Sequence, residues 1–205
     1  MTAVNYQVGD GVNDGVWVGS NFYNAYSNYR LGNYSYGATK IFNLFTGVTI
    51  PDGATINSSY LSFYYNGYYG DAPPEYATLY ADKQLNPSVV SSASDGNSRT
   101  LTTASLQITS PYASAGWWDT GDIKNIITEL LALGSFASGN NVQFIIVDQT
   151  TNNHYASQNT YDAGASYGCK LHIEYTEAAG GKVNLIGPGL IGQSPLINRS
   201  PLLSW

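Results

Sequence analysis

The sequence predicts an all-β fold, a jelly-roll β-sandwich over residues 1–177 with one short α-helix, followed by an extended arm over residues 178–205. Three observations predict it. Short runs of alternating apolar and polar residues recur along the first 177 positions, bounded by turn-forming residues. A single helical stripe interrupts them. Only 11% of residues are charged, against roughly 25% in an average globular chain, while 18 are tyrosine and 22 are glycine.

Residues 15–19 and 29–34 are short and turn-bounded. Residues 39–45 are rich in strand formers, and 48–50 lead into Pro51-Asp52-Gly53, where proline presets φ and glycine permits the turn. That turn should swing the chain from one sheet to the other, with Ala54 and Ile56 restarting a buried strand. Residues 60–65 alternate, with Leu61, Phe63 and Tyr65 on one face and Tyr60, Ser62 and Tyr64 on the other. Residues 76–82 alternate again, with Ala77, Leu79 and Ala81 together. Residues 142–147 are almost wholly apolar, so both faces should be covered. In 169–175, Cys169, Leu171, Ile173 and Tyr175 point inward and Lys170, His172 and Glu174 outward. Residues 84–98 and 149–168 read as long loops.

The helix rests on Ile123, Ile126, Ile127, Leu130 and Leu131, which fall on one stripe. Asp119, Thr120 or Asp122 can cap its start and Gly134 can end it. With only one wide apolar face, it should pack across an open end or face of the β core.

The arm is apolar, yet Pro188, Pro195 and Pro201 bar a regular helix or central strand. Between the prolines sit Leu190, Ile191, Leu196, Ile197, Leu202 and Leu203, with Trp205 last. A disordered linker would be polar and charged. These seven residues read instead as an assembly anchor that lies in a neighbour's groove, in a homo-oligomer or against other virion proteins. Burying side chains alone does not offset the entropy of ordering such an arm, so backbone pairing to a neighbouring sheet edge is expected as well.

Net charge is −6, and all 14 acids precede residue 178, whereas the arm carries only Lys182 and Arg199. No basic patch answers a phosphate backbone, which argues against nucleic-acid binding. No apolar run approaches the ~18 residues of a membrane span. The N-terminus has neither a basic nor an apolar leader region, so no secretory signal is expected. A chain composed like a surface binder, made without an export signal, fits a virion component assembled in the host cytoplasm. The single cysteine, Cys169, excludes an internal disulfide.

The candidate chemistry is sparse. Two histidines and one cysteine cannot fill a four-ligand zinc site. His172 sits on an outward strand face, His154 lies in a polar loop, and Cys169 reads as a small buried hydrophobe. The acids, Glu129 among them, form no arguable glycosidase pair. Asp10 and Asp14 flank an oxygen-rich turn and are weak Ca²⁺ candidates, with a plain Asx turn as the competing reading. No catalytic residue and no cofactor are expected. Tyr64, Tyr65, Tyr68 and Tyr69 cluster at a strand edge, where rings can stack on sugars. They are the candidate glycan contacts, and packing in the core or on a neighbouring subunit is the alternative. Trp117 and Trp118 divide the same way, with Trp118 assigned to the core.

The stretch Ile41-Phe42, then Val48-Thr-Ile-Pro-Asp-Gly-Ala-Thr-Ile-Asn-Ser-Ser-Tyr-Leu-Ser-Phe63, resembles the signature of DNRLRE-like domains, jelly-roll modules similar to carbohydrate-binding modules. Trp118 leading into Asp122-Ile-Lys-Asn-Ile-Ile-Thr-Glu-Leu-Leu131 resembles the family's short helix. Residues 139–146 and 170–176 resemble its closing strands. The match runs over roughly residues 5–177. The resemblance implies a non-catalytic module of cell-surface or virion proteins. The arm resembles, more loosely, those of bacteriophage structural proteins. Together these point to a non-enzymatic bacteriophage virion protein, a capsid decoration, head fibre or tail module anchored by its arm. The alternative is a carbohydrate-binding module for cell-surface glycans, and an esterase or glycosidase is the remote third.

Overall fold

Strand alternation partitions the side chains as the sequence predicts, and the result is a sandwich of two antiparallel six-stranded sheets. A computed structural model describes residues 1–32, 38–69, 76–109, 115–134, 136–149 and 155–178. The anchor residues Leu190, Ile191, Leu196, Ile197, Leu202, Leu203 and Trp205 lie outside the described residues, as do His154 and the side chains of Tyr68 and Tyr69.

The front sheet holds β1 (Thr2–Gln7), β4 (Asn28–Leu31), β6 (Thr55–Tyr69), β9 (Gly116–Asp119), β11 (Tyr155–Asn159) and β12 (Lys170–Thr176). The back sheet runs in the order β3 (Asn21–Tyr23), β2 (Asp14–Val18), β5 (Thr39–Val48), β10 (Asn140–Asp148), β7 (Tyr76–Ala81) and β8 (Leu106–Thr109). The chain crosses repeatedly between sheets, as a jelly-roll path does. One crossing is the expected turn. Gly53 adopts φ 72°, Ala54 donates its N–H to the Pro51 carbonyl at 3.1 Å, and the chain leaves β5 in the back sheet for β6 in the front.

β6 organises the front sheet. Ser62 faces both Lys170 and Asp119, and Tyr65 faces both Gln158 and Gly116. Hence β11 and β12 lie end to end along one side of β6, and β9 lies on the other. Residues 160–169 loop out between β11 and β12. Gln7 ties that excursion down by donating from Nε2 to the carbonyls of Ala165 (2.9 Å) and Gly168 (3.0 Å).

Between the sheets Ile41, Phe45, Leu61, Leu79, Phe144, Ile146, Leu171 and Ile173 are fully buried, with Phe45 and Phe144 edge to face at 5.9 Å. β10 is covered on its outer side too, where Ile145 joins Trp17, Phe42, Val90 and Ala93 in a second cluster. This explains its unbroken apolar run. The cover comes from the segment read as a loop at 84–98, which contains a second helix, α1 (Ala93–Ser98). The expectation of a single helix is therefore corrected. α1 has poor intrinsic propensity and forms through local capping and packing. Ser92 Oγ accepts from the Asp95 N–H at 3.1 Å, and a Cβ at Gly96 would stand 2.8 Å from the Trp17 ring. The presumed loop 149–168 is corrected likewise, since β11 lies within it.

The predicted helix is α2 (Lys124–Leu131). Ile123, Ile126, Ile127 and Leu130 are buried, and Leu131 is half-buried. The N-cap position falls on Ile123 rather than on Asp119, Thr120 or Asp122, and Asp122, just outside it, accepts through Oδ1 from the N–H groups of Lys124 (2.9 Å) and Ser59 (3.1 Å). Glu129 accepts from Thr103 N–H (3.0 Å) and Ala104 N–H (2.7 Å) and pairs with Lys83 at 2.8 Å. The Lys83 ammonium and these two amides hold its carboxyl down at about 2. No helix among the described residues is long and apolar enough to cross a membrane.

Candidate functional site

The two sheets differ on their outer sides. On the back sheet, residues 89–97 shield Trp17 and Phe42. On the front sheet, β6, β9 and β12 present aromatic and polar side chains to solvent. Alternation places Ser58, Tyr60, Ser62 and Tyr64 of β6 on this outer face. Register then sets His172 beside Tyr60, Lys170 and Asp119 on either side of Ser62, and Trp117 beside Tyr64.

These neighbours form one connected surface. Tyr60 and the His172 ring stack at 4.7 Å. Trp117, 42% exposed, stands edge-on to Tyr64 at 5.7 Å. Tyr167, from the looped-out excursion, reaches Tyr64 at 4.6 Å. Lys170 extends across β6 so that Nζ lies 3.7 Å from the Trp117 ring centroid, a cation–π contact that fixes the indole. His172 Nδ1 shares a 2.7 Å hydrogen bond with Asn5 Oδ1, and its Nε2 is 3.5 Å from Glu174. Glu174 accepts from Ser58 Oγ at 3.0 Å, and Asp119 accepts from the Ser62 hydroxyl. Tyr60 and Tyr64 are four residues apart on one strand, ~13 Å at strand rise. The face therefore carries two aromatic stations separated by hydrogen-bonding groups.

Among the candidate tyrosines, Tyr64 lies on this face. Tyr65 does not, because alternation turns it inward to 4% exposure, which removes it from the candidate contacts. Tyr68 and Tyr69 pair through their backbones with Ala156 and Tyr155. Trp118 packs half-buried against the core, stacked on Phe63 at 6.2 Å. The contributions of Tyr60, Tyr167, Lys170 and His172 were missed as a group. Alternation had marked Tyr60, Lys170 and His172 as outward, but only register brings them together.

The acidic turn separates into two roles. Asp10 Oδ1 accepts from the Val12 N–H at 3.1 Å, an Asx turn. Asp14 is buried, and its Oδ2 accepts from the Tyr161 N–H at 3.0 Å. Among the described residues no cluster of three or more His, Cys, Asp or Glu is placed to hold a metal ion. Cys169 is buried, and desolvation pushes its thiol up.

No family model matches the chain, and no curated protein matches it. The DNRLRE-like resemblance thus reduces to its coarser part, a β-sandwich. Among solved structures, the chain is similar to the crystal structure of a non-crystalline cellulose specific carbohydrate-binding module, CBM28, with a TM-score of 0.31 and 10% identity over 78% of each chain. A likeness that loose carries nothing to the function of this chain.

Proposed function

We propose that this chain is a non-catalytic glycan-binding β-sandwich, with the outer face of the front sheet as its binding surface. One observation carries the reading. Trp117, 42% exposed, lines up with Tyr64 and Tyr60 on one face with polar groups between them and Tyr167 beside them, whereas on the back sheet the chain's own segment seals Trp17 and Phe42. Aromatic rings stack on the apolar faces of pyranoses, and the interleaved Ser, Asn, His and Lys groups serve hydroxyls. Lys170 stands beside Glu174 and Asp119, so both signs of charge are present on the face and an extended neutral glycan suits the surface best. Full-length protein should be retained by at least one neutral polysaccharide in affinity electrophoresis. Trp117→Ala should weaken that retention about tenfold. Retention by no glycan, or undiminished retention of the variant, overturns the reading.

A second reading concerns the arm. β12 is flanked on one side by β6 and on the other by β1. The sequence that follows is apolar and broken by Pro188, Pro195 and Pro201. This supports a bacteriophage virion role, with the arm held by neighbouring subunits and the sandwich projecting as a head decoration, head fibre or tail module. Deleting 178–205 should leave a folded monomer that no longer assembles, as read by light scattering and particle incorporation. Normal assembly of the truncated chain refutes it.

A further inference from the structure

Among the described residues the sandwich is open along one side, where β3 is the edge of the back sheet and β4 an end strand of the front sheet. A cleft of about 390 Å³ lies there, within the range of roughly 300–1,000 Å³ typical of small-molecule sites. Val16 and Val18, 8% and 9% exposed, line it from β2. Tyr23 and Tyr26 form an aromatic wall, edge to face at 5.3 Å and 87°. Tyr26 is 55% exposed. Asn21 on β3 and Asn28 on β4 set an amide on each rim. Tyr29 is fixed from below, its hydroxyl donating to the Asp14 carbonyl at 3.2 Å. Arg30, whose guanidinium lies over the Tyr155 ring at 4.5 Å, also lines the cleft, and no acid is among the described residues that do.

An apolar floor, one exposed ring and paired amides describe a group that is part hydrocarbon and part amide. We propose that the cleft is a second site, separate from the front face, that takes a single N-acetylated sugar unit. The pyranose lies against Tyr26, the acetamido methyl points toward Val16 and Val18, and Asn21 and Asn28 meet the amide and neighbouring hydroxyls. The site does not depend on the front-face reading, since it shares none of the residues named for that surface.

Amide NMR of the full chain, titrated with N-acetylglucosamine, N-acetylgalactosamine and glucose, tests this. An N-acetyl sugar should give saturable shifts at β2, β3 and β4 and bind about tenfold tighter than glucose, the scale on which a pocket discriminates one small apolar group. Tyr26→Ala should weaken binding about tenfold through lost stacking, and Tyr26→Phe should preserve it. Trp117→Ala should leave it unchanged, which separates this site from the front face. Equal binding of glucose, absence of saturable shifts with both N-acetyl sugars, an unaffected Tyr26→Ala variant, or shifts centred on β9 and β12 would each overturn the proposal.

Discussion

Replacing Arg99 with alanine is expected to destabilise the fold by about 3–5 kcal/mol, the range for breaking one half of a buried ion pair. Arg99 immediately follows α1, with its side chain 6% exposed. Nη1 pairs with Asp82 Oδ2 at 2.8 Å, and Asp82 itself is fully buried. Nε and Nη2 grip both oxygens of Asp95, at 2.9 and 2.8 Å, in a forked bond. Nη1 also donates to the Ser88 carbonyl at 3.2 Å. One guanidinium thus fastens the segment over the back sheet to that sheet. Without it, Asp82 keeps among the described residues only the Gln143 amide, at 3.4 Å. Burial already pushes the Asp82 carboxyl up even with Arg99 present, and losing the cation raises it further. The variant's deficit should therefore shrink as pH falls and Asp82 takes up a proton. Urea unfolding of wild type and variant at several pH values, read by tryptophan fluorescence, checks both points. Converting Arg99 to methionine together with Asp82→Asn should recover part of the loss, because no fully buried charge is then left unpaired, Asp95 being partly open to solvent. A single-variant deficit below about 1 kcal/mol, the worth of an exposed pair, would show that this network does not hold the segment down.

That segment also shows where sequence reasoning stops. β12 and α2 were legible because each has one wet and one dry side, so their periodicity is written in the residues. Ser-Asp-Gly-Asn has no such signature. α1 exists because Arg99 grips Asp95 and because Gly96 lets the backbone sit against Trp17, and both are tertiary facts. β11 is polar, yet Ser157 and Gln158 are buried. A strand buried on both faces whose own residues are largely polar shows neither alternation nor an apolar run. The front face was half legible. Alternation gave the orientation of Tyr60, Tyr64, Lys170 and His172, but their adjacency requires the register of β6 with β12 and β9. Grouping Tyr64 with Tyr65 put sequence neighbours together, whereas a strand sends neighbours to opposite faces. The cleft was invisible, because Asn21 and Asn28 come from different sheets that approach only at their edges.

The other large effect concerns Asp14. Its carboxyl is 1% exposed, and burial, aided by the nearby Asp162 and Asp10, pushes its pKa up to about 7 despite the Tyr161 N–H bond that opposes the shift. In the unfolded chain the group returns to its ordinary value of 3.8. Between those values the folded state holds a proton that the unfolded state has released. Stability from this group is therefore complete below about pH 4, falls as pH rises toward 7, and levels off above, with a total change of up to about 4 kcal/mol. Asp14→Asn removes the titration and keeps an oxygen to accept from Tyr161. It also places an NH₂ group where the buried Oδ1 has no partner among the described atoms, at a cost of about 1–3 kcal/mol. The two stability curves should therefore cross, with wild type the more stable near pH 5 and the variant the more stable near pH 8. Subtracting one curve from the other isolates Asp14. Glu129 and Asp95, both held below the usual carboxylate range, change stability only at lower pH. Chemical unfolding at pH 5, 6, 7 and 8 gives the answer directly. Parallel curves across that window would mean that Asp14 is ionised in the folded protein and solvated well enough to carry its charge.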